Sequence, residues 1–153
     1  MNRILVLGAG RSSSVLISYL LDQAKILQWQ VTVGDVSEQA AKERIGTAVN
    51  GKAIKFDIAD VPSSKTTIAA ADVVISLIPA HLHPLVAKIC LEAKKHLLTA
   101  SYVSDEMKSF HAEAQTKGLL FLNESGLDPG LDHMSAMQVI DKIKSHGGTM
   151  LSF

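Results

Sequence analysis

Two groups of residues in this chain have types and spacings that can do chemistry. The first is V-L-G-A-G-R-S-S-S, Val6 to Ser14, taken together with Asp35. Gly8 and Gly10 can adopt backbone angles closed to other residues and leave no side chain in the way of a ligand. Between a strand and a helix, such a turn aims the first backbone N–H groups of the helix, with the positive end of its dipole behind them, at a pyrophosphate. The full dinucleotide fingerprint is G-x-G-x-x-G/A, and here Ser13 takes the third position; it is small enough for close helix–strand packing, and its hydroxyl can reach a phosphate oxygen. A G-x-G alone also occurs in ordinary turns, so the acid matters. Asp35 closes a second apolar run, where a βαβ dinucleotide unit keeps the carboxylate that binds ribose hydroxyls. The second group is Asn123-Glu124-Ser125-Gly126-Leu127-Asp128-Pro129-Gly130, dense in turn formers and polar groups.

The elements that must hold these groups alternate strand and helix. Ile4–Leu7 predicts a strand buried on both faces, and Ser13–Leu27 a helix with Val15, Leu16, Tyr19, Leu20 and Leu27 at helical spacing. Thr32–Asp35 is the second strand. Ser37 is an N-cap for a short helix through Arg44, which Gly46 ends. Ala53–Phe56 is the third strand, followed by Asp57 and Ile58 on the adenine side of such a site, although Asp57 reads equally as a loop acid facing water. A weak helix over 62–71 precedes Val73–Ile78, the fourth strand, whose end puts Ser76, Leu77 and Pro79 at the switch point of a 3-2-1-4-5-6 sheet. A helix opening near Pro84 has Leu85, Val86, Ile89 and Cys90 as its buried face. His96–Thr99 is the fifth strand, a helix capped by Ser104 runs to Gly118, and Leu119–Leu122 is the sixth. Leu131, Met134, Met137, Ile140 and Ile143 mark a last helix and read as core. The fold expected is α/β: a Rossmann-type doubly wound, mainly parallel sheet with helices on both faces.

The composition narrows the function. Nearly half of the 153 residues are apolar, and 15 lysines and arginines balance 15 acids, so no global field recruits nucleic acid or a membrane. A small-molecule ligand is the expectation. Cys90 is the only cysteine, so no internal disulfide can form, and its apolar neighbours mark a structural thiol. His81 and His83 stand at a metal-like spacing, but no third ligand cluster accompanies them, and a role at a loop or helix start is expected instead of a metal. Ile4–Leu7 is far too short for a signal peptide or membrane span, which points to the cytoplasm. Residues 1–148 are expected to form the dinucleotide-binding domain, and 149–153, after Gly147-Gly148, to start a strand leading into a further substrate or dimerisation domain.

G-A-G-R-S-S-S, S-L-I-P-A, T-A-S-Y-V-S-D-E-M and N-E-S-G-L-D-P-G-L-D-H-M-S-A together resemble the nucleotide-binding domain of the glutamate-forming saccharopine dehydrogenases. The resemblance runs from Arg3 to Phe153, and G-L-D-P-G-L-D-H is its most specific part. It implies oxidative cleavage of saccharopine to glutamate and aminoadipate semialdehyde, or the reverse, within lysine metabolism. It implies substrate contacts at Ser101, Tyr102 and Asp128, with Asp128 as the catalytic carboxylate. It further implies a pyrophosphate loop of Gly8, Gly10, Arg11, Ser12 and Ser13, an adenosine side of Asp35, Asp57 and Ile58, and a nicotinamide side of Ser76, Leu77, Ile78, Pro79, Val103, Leu127 and Pro129. Asp128 can orient a secondary amine or accept its proton; next to Pro129 it can also merely shape a turn. Enzymes making carboxynorspermidine or homospermidine share this domain and stand as alternatives, as does a non-enzymatic dinucleotide-binding module. A short-chain dehydrogenase would need Tyr-x-x-x-Lys, and the residue four after Tyr102 is Glu106. Asp35 favours NAD, because a carboxylate repels a 2′-phosphate, with NADP open through Arg11. The expected partners are a small amino-acid substrate and, through uncovered apolar surface, a second copy of the chain; this segment by itself is expected to be inactive.

Overall fold

The run Arg3–Leu7 forms strand β1 because its aliphatic side chains find apolar neighbours on both faces: Leu5 and Leu7 enter one core cluster, Ile4 and Val6 the other. The computed structural model, which describes residues 2–152, sets five parallel strands beside it: β2 (Gln30–Asp35), β3 (Gly51–Lys55), β4 (Val73–Ser76), β5 (His96–Thr99) and β6 (Phe121–Leu122). The order is β3-β2-β1-β4-β5-β6, the doubly wound arrangement expected from the sequence. Register brings Leu7 opposite both Gly34 and Ser76, and Ser76 opposite Thr99. The carboxyl ends of β1, β2, β4 and β5 therefore lie on one edge, and the loops that follow them share it.

Helices α1 (Ser14–Leu27) and α2 (Glu38–Ile45) supply Ile17, Leu20, Leu21, Ala24, Ala41 and Ile45 to the cluster holding Ile4 and Val6. On the opposite face α3 (Val61–Ala69), α4 (His83–Ala93) and α5 (Asp105–Ser109) contribute Ile68, Val86, Ala87, Ile89, Cys90 and Met107 to the cluster holding Leu5 and Leu7. Each valine, leucine, isoleucine or methionine among these contributes about 1.5–3 kcal/mol on full burial. Two caps form as the sequence predicts: the Ala40 N–H donates to Ser37 Oγ at 3.2 Å, and Gly46 ends α2 with φ of +59°. The Met107 N–H likewise donates to Ser104 Oγ at 3.2 Å.

Five local expectations change. In α1 the buried stripe is Ile17, Leu20, Leu21 and Ala24, whereas Val15, Tyr19 and Leu27 are exposed; the helix is apolar nearly all round, and only the stripe with the small Ala24 lies against the sheet. Leu85 is exposed, unlike its neighbours in α4. The helix expected from Ser104 to Gly118 is broken at Phe110 into α5 and α6 (His111–Thr116). The last helix, α7 (Leu131–Ser145), has no buried residue, and Leu131, Met134 and Met137 are 60%, 62% and 50% exposed, so its methionine stripe is surface here and not core. Thr149–Ser152 have no regular structure, where a strand was expected, and Phe153 lies outside the described residues. A strand needs a paired edge, and these residues pair with none of the six strands. Among the described residues no helix is long and apolar enough to cross a membrane.

Candidate functional site

The glycine loop sits at the centre of the shared edge. Gly8 has φ of +105°, and a Cβ there would come within 2.9 Å of the Leu77 carbonyl oxygen, so only glycine lets the turn pass this close to the end of β4. Gly10 is different: its backbone is extended, and a Cβ would meet nothing within 4 Å. The side of Gly10 that a Cβ would occupy is therefore open space. Gly10 caps a 3-10 turn, Arg11–Ser13, that leads straight into α1, and no side chain caps either start. The first N–H groups of such a start have no intrahelical acceptor, which suits a phosphate.

Two side chains clamp the loop at Ala9. Its N–H donates to Asp35 Oδ2 at 2.7 Å, and its carbonyl accepts from Arg44 Nε at 3.1 Å. Asp35 Oδ1 accepts from the Ser37 N–H at 2.9 Å. Both oxygens of the carboxylate therefore accept from backbone N–H groups, and Asp35 braces the turn. Ser13 is also turned inward: it is 1% exposed and its hydroxyl donates to the Gly10 carbonyl at 2.8 Å, which corrects the expectation that it reaches phosphate. Arg11 and Ser12 are exposed on the turn.

A crevice of about 260 Å³ opens beside the loop, lined by Gly8, Gly10, Asp35, Asp57, Ile58, Leu77, Ile78 and Pro79 of the expected set. Gly34, Val36, Phe56 and Leu82 complete its wall and had no signal in the sequence beyond being apolar neighbours of strand ends. A Cβ on Gly34 would come within 2.8 Å of Phe56 Cβ, so this glycine is required by packing. The residues present thus fit a dinucleotide: an open glycine, uncapped N–H groups and an apolar slot. Ser76 is fully buried behind this wall. Val103 lies elsewhere, in a cavity of about 570 Å³ beside β6 with Met107 and Phe121. Leu127 is exposed and Pro129 buried, and neither lines the crevice.

The second group folds beside the end of β5. The Ser125 N–H donates to the Thr99 carbonyl at 3.1 Å and the Glu124 N–H to the Ser101 carbonyl at 3.2 Å. Gly130 has φ of +145°, and a Cβ on it would collide with the Gly126 carbonyl oxygen, so the two glycines let the segment double back. Asp128 is carried at the tip, where its Oδ1 accepts from the Tyr102 hydroxyl at 2.5 Å. That bond pushes the Tyr102 phenol up to about 12. The Tyr102 ring meets His133 edge-on at 6.3 Å, and His133 Nδ1 lies 2.8 Å from Asp132 Oδ1, which raises the His133 pKa. Donor atoms of Asp128, Asp132 and His133 all lie within 4.8 Å of one another. The cluster is an exposed acid–phenol–imidazole group suited to proton transfer.

A buried connection joins the two groups. His83 Nδ1 is 2.9 Å from Ser76 Oγ, and its Nε2 is 2.9 Å from Ser101 Oγ. Burial, with His81 nearby, lowers the His83 pKa. The sequence places His83 only at a helix start, because partners 7 and 18 residues away leave no local pattern. Arg44 was missed for the same reason, its partner Ala9 lying 35 residues away, whereas Asp132 and His133 stood inside G-L-D-P-G-L-D-H and were given no role there.

Sheet order, glycine turn and switch-point crevice define a Rossmann-type dinucleotide-binding domain. Residues 4–122 match the family described as saccharopine dehydrogenase NADP binding domain, and the chain belongs to that family. It is 39% identical over 99% of its length to the mitochondrial alpha-aminoadipic semialdehyde synthase of Bos taurus, of which it covers 16%. It is 35% identical over 98% of its length to the NADP(+), L-glutamate-forming saccharopine dehydrogenase of Saccharomyces cerevisiae, covering 33% of that protein. The apo structure of a saccharopine dehydrogenase (L-Glu forming) from Saccharomyces cerevisiae superposes with a TM-score of 0.84 at 33% identity, over 96% of this chain and 32% of that one. The chain therefore spans a third or less of the length of these relatives. The family and these names do not support the NAD preference read from Asp35.

Proposed function

We propose that this chain binds NADP in the crevice at the ends of β1, β2 and β4, and that it is the cofactor-binding part of an oxidoreductase acting on the C–N bond of saccharopine. The observation that carries the reading is the open side of Gly10 above an uncapped helix start, in a chain of this family. The loop N–H groups would hold the pyrophosphate, with Ile58 on the adenine side and Leu77 to Pro79 beside the nicotinamide. Arg11, exposed on the turn, would meet the 2′-phosphate. Bound NADP would accept a hydride from the carbon bearing the secondary amine. The chain's part is then the proton: Asp128, with Oδ1 bonded to Tyr102, offers its other oxygen to the amine or to the water that adds before the C–N bond breaks. The products are glutamate and aminoadipate semialdehyde, with one proton released alongside NADPH.

Saccharopine carries several carboxylates, whose recognition calls for unpaired cations. Lys88 and Lys108 are paired with Glu106 and Asp105. The chain by itself is therefore expected to bind cofactor without turnover. Titration of NADP and NAD into the chain and into Gly10→Ala tests the reading. Tighter binding of NADP, weakened at least tenfold in the variant while its stability is unchanged, is expected. No binding of either dinucleotide, or tighter binding of NAD, would contradict it, as would saccharopine-dependent reduction of NADP by the chain alone for its second part.

A further inference from the structure

His83 is 3% exposed, yet both of its ring nitrogens are engaged by serine hydroxyls. A helix start beside Pro84 does not call for an imidazole, and an apolar residue would fill the space without burying two polar atoms. The ring instead ties two strand ends together. Ser76 ends β4 next to the crevice residues Leu77 to Pro79, and Ser101 follows β5 next to Tyr102. What holds Ser101 also holds the segment behind it, through the Glu124 N–H on the Ser101 carbonyl and the Tyr102 hydroxyl on Asp128.

The hydrogen-bond accounting selects a tautomer. A buried neutral imidazole has one nitrogen that donates and one that accepts, and burial holds this ring neutral. Ser76 Oγ is fully buried, and His83 is its only hydrogen-bond partner among the described residues. With the proton on Nδ1, Ser76 would accept, and its own O–H would be left buried without an acceptor. With the proton on Nε2, the Ser76 hydroxyl donates to Nδ1 and Nε2–H donates to Ser101 Oγ. Ser101 is half-buried, so its own O–H is then free to point out of the protein.

We propose that His83 is a positioning residue for the substrate side of this site: as the Nε2–H tautomer, bonded to Ser76 and Ser101, it makes the Ser101 hydroxyl an outward hydrogen-bond donor for a carboxylate oxygen. This deepens the function proposed above and rests on it for the nature of the substrate.

Nitrogen-labelled histidine in the intact chain tests the tautomer, because a protonated ring nitrogen and a bare one resonate far apart. The expected result at neutral pH is a proton on Nε2 only; a proton on Nδ1, or on both nitrogens, overturns the proposal. Two variants separate positioning from mere filling of space. His83→Asn sets an amide at the Nδ1 position and keeps only the Ser76 link, while His83→Gln reaches the Nε2 position and keeps the link to Ser101. Amide resonances of Ser101, Tyr102 and Asp128 are expected to move in His83→Asn and to stay near their original places in His83→Gln. Equal changes in both variants overturn the proposal, and if neither folds, the tautomer of the unsubstituted chain decides. L-glutamate, added as a simple carboxylate probe, is expected to shift Ser101 in the unsubstituted chain, and the lack of that shift overturns the donor role. NADP titration of the same sample tests the proposed function separately, since failure to bind NADP leaves the His83 proton where the spectrum finds it.

Discussion

Replacing Asp35 separates a brace from a reader of the ribose. In Asp35→Ala the Ala9 N–H, on a residue 3% exposed, loses its acceptor at 2.7 Å. A buried donor left unpaired costs about 1–3 kcal/mol. The Ser37 N–H loses its acceptor too, but Ser37 is exposed and water replaces the bond at little cost. A total near 2 kcal/mol lowers the melting temperature of a domain of this size by about 4–8 °C. Asp35→Asn keeps one oxygen that can accept from Ala9, so its loss is expected to be half as large or less. Thermal and urea unfolding followed by circular dichroism measure both variants, and NADP affinity is expected to fall in the same order, because the loop that carries Gly10 loosens. An alanine variant within about 0.5 kcal/mol of the unsubstituted chain, the range of an ordinary surface change, would refute the reasoning. So would an asparagine variant of full stability that has lost its dinucleotide.

Other outcomes follow from the same structure. Gly8→Ala is expected to destabilise the fold in urea unfolding by about 1–2 kcal/mol from its positive φ alone, with the contact to the Leu77 carbonyl in addition. The Cys90 thiol, fully buried and pushed up to about 12 by that burial, should resist alkylation in the native chain and react once the chain is unfolded, as mass spectrometry would show. In Asp128→Ala the Tyr102 phenol should ionise at lower pH than it does beside Asp128, where it stands at about 12; alkaline titration of phenolate absorbance in a Tyr19→Phe background reads this directly. The bonds from Arg3 hold Asp72 down to about 2, below its ordinary 3.8, so the stability it adds is present above the ordinary value and is lost as pH falls towards 2. Arg3→Ala should flatten that part of the acid unfolding curve.

Strand order and the glycine turn were legible in the sequence because both depend on local signals: short aliphatic runs, two glycines and an acid at a strand end. The chemistry of individual side chains was less so. Asp35 was found, but its bonds to the Ala9 and Ser37 N–H groups were not, since only the fold brings these together. Ser13 fits the small-residue position of the fingerprint while its hydroxyl turns back to Gly10. His83 stood out in the sequence for a metal-like spacing with His81, and the structure gives it two serines instead, one ending β4 and one following β5. The α7 stripe failed as a burial signal for another reason. Periodicity tells which residues share a face, and a face is buried only where the fold puts a partner against it.

The central claim is that the turn at Gly10 is the seat of a dinucleotide. Titrating NADP into labelled protein and following its amide resonances tests this most directly. The account predicts saturable shifts centred on Gly8 to Ser13, with further shifts at Asp35, Ile58 and Leu77 to Ile78, while the foot of the sheet near Trp29 and His96 stays unchanged. Saturable binding that left the Gly8 to Ser13 amides in place, or moved only residues away from the crevice, would contradict it.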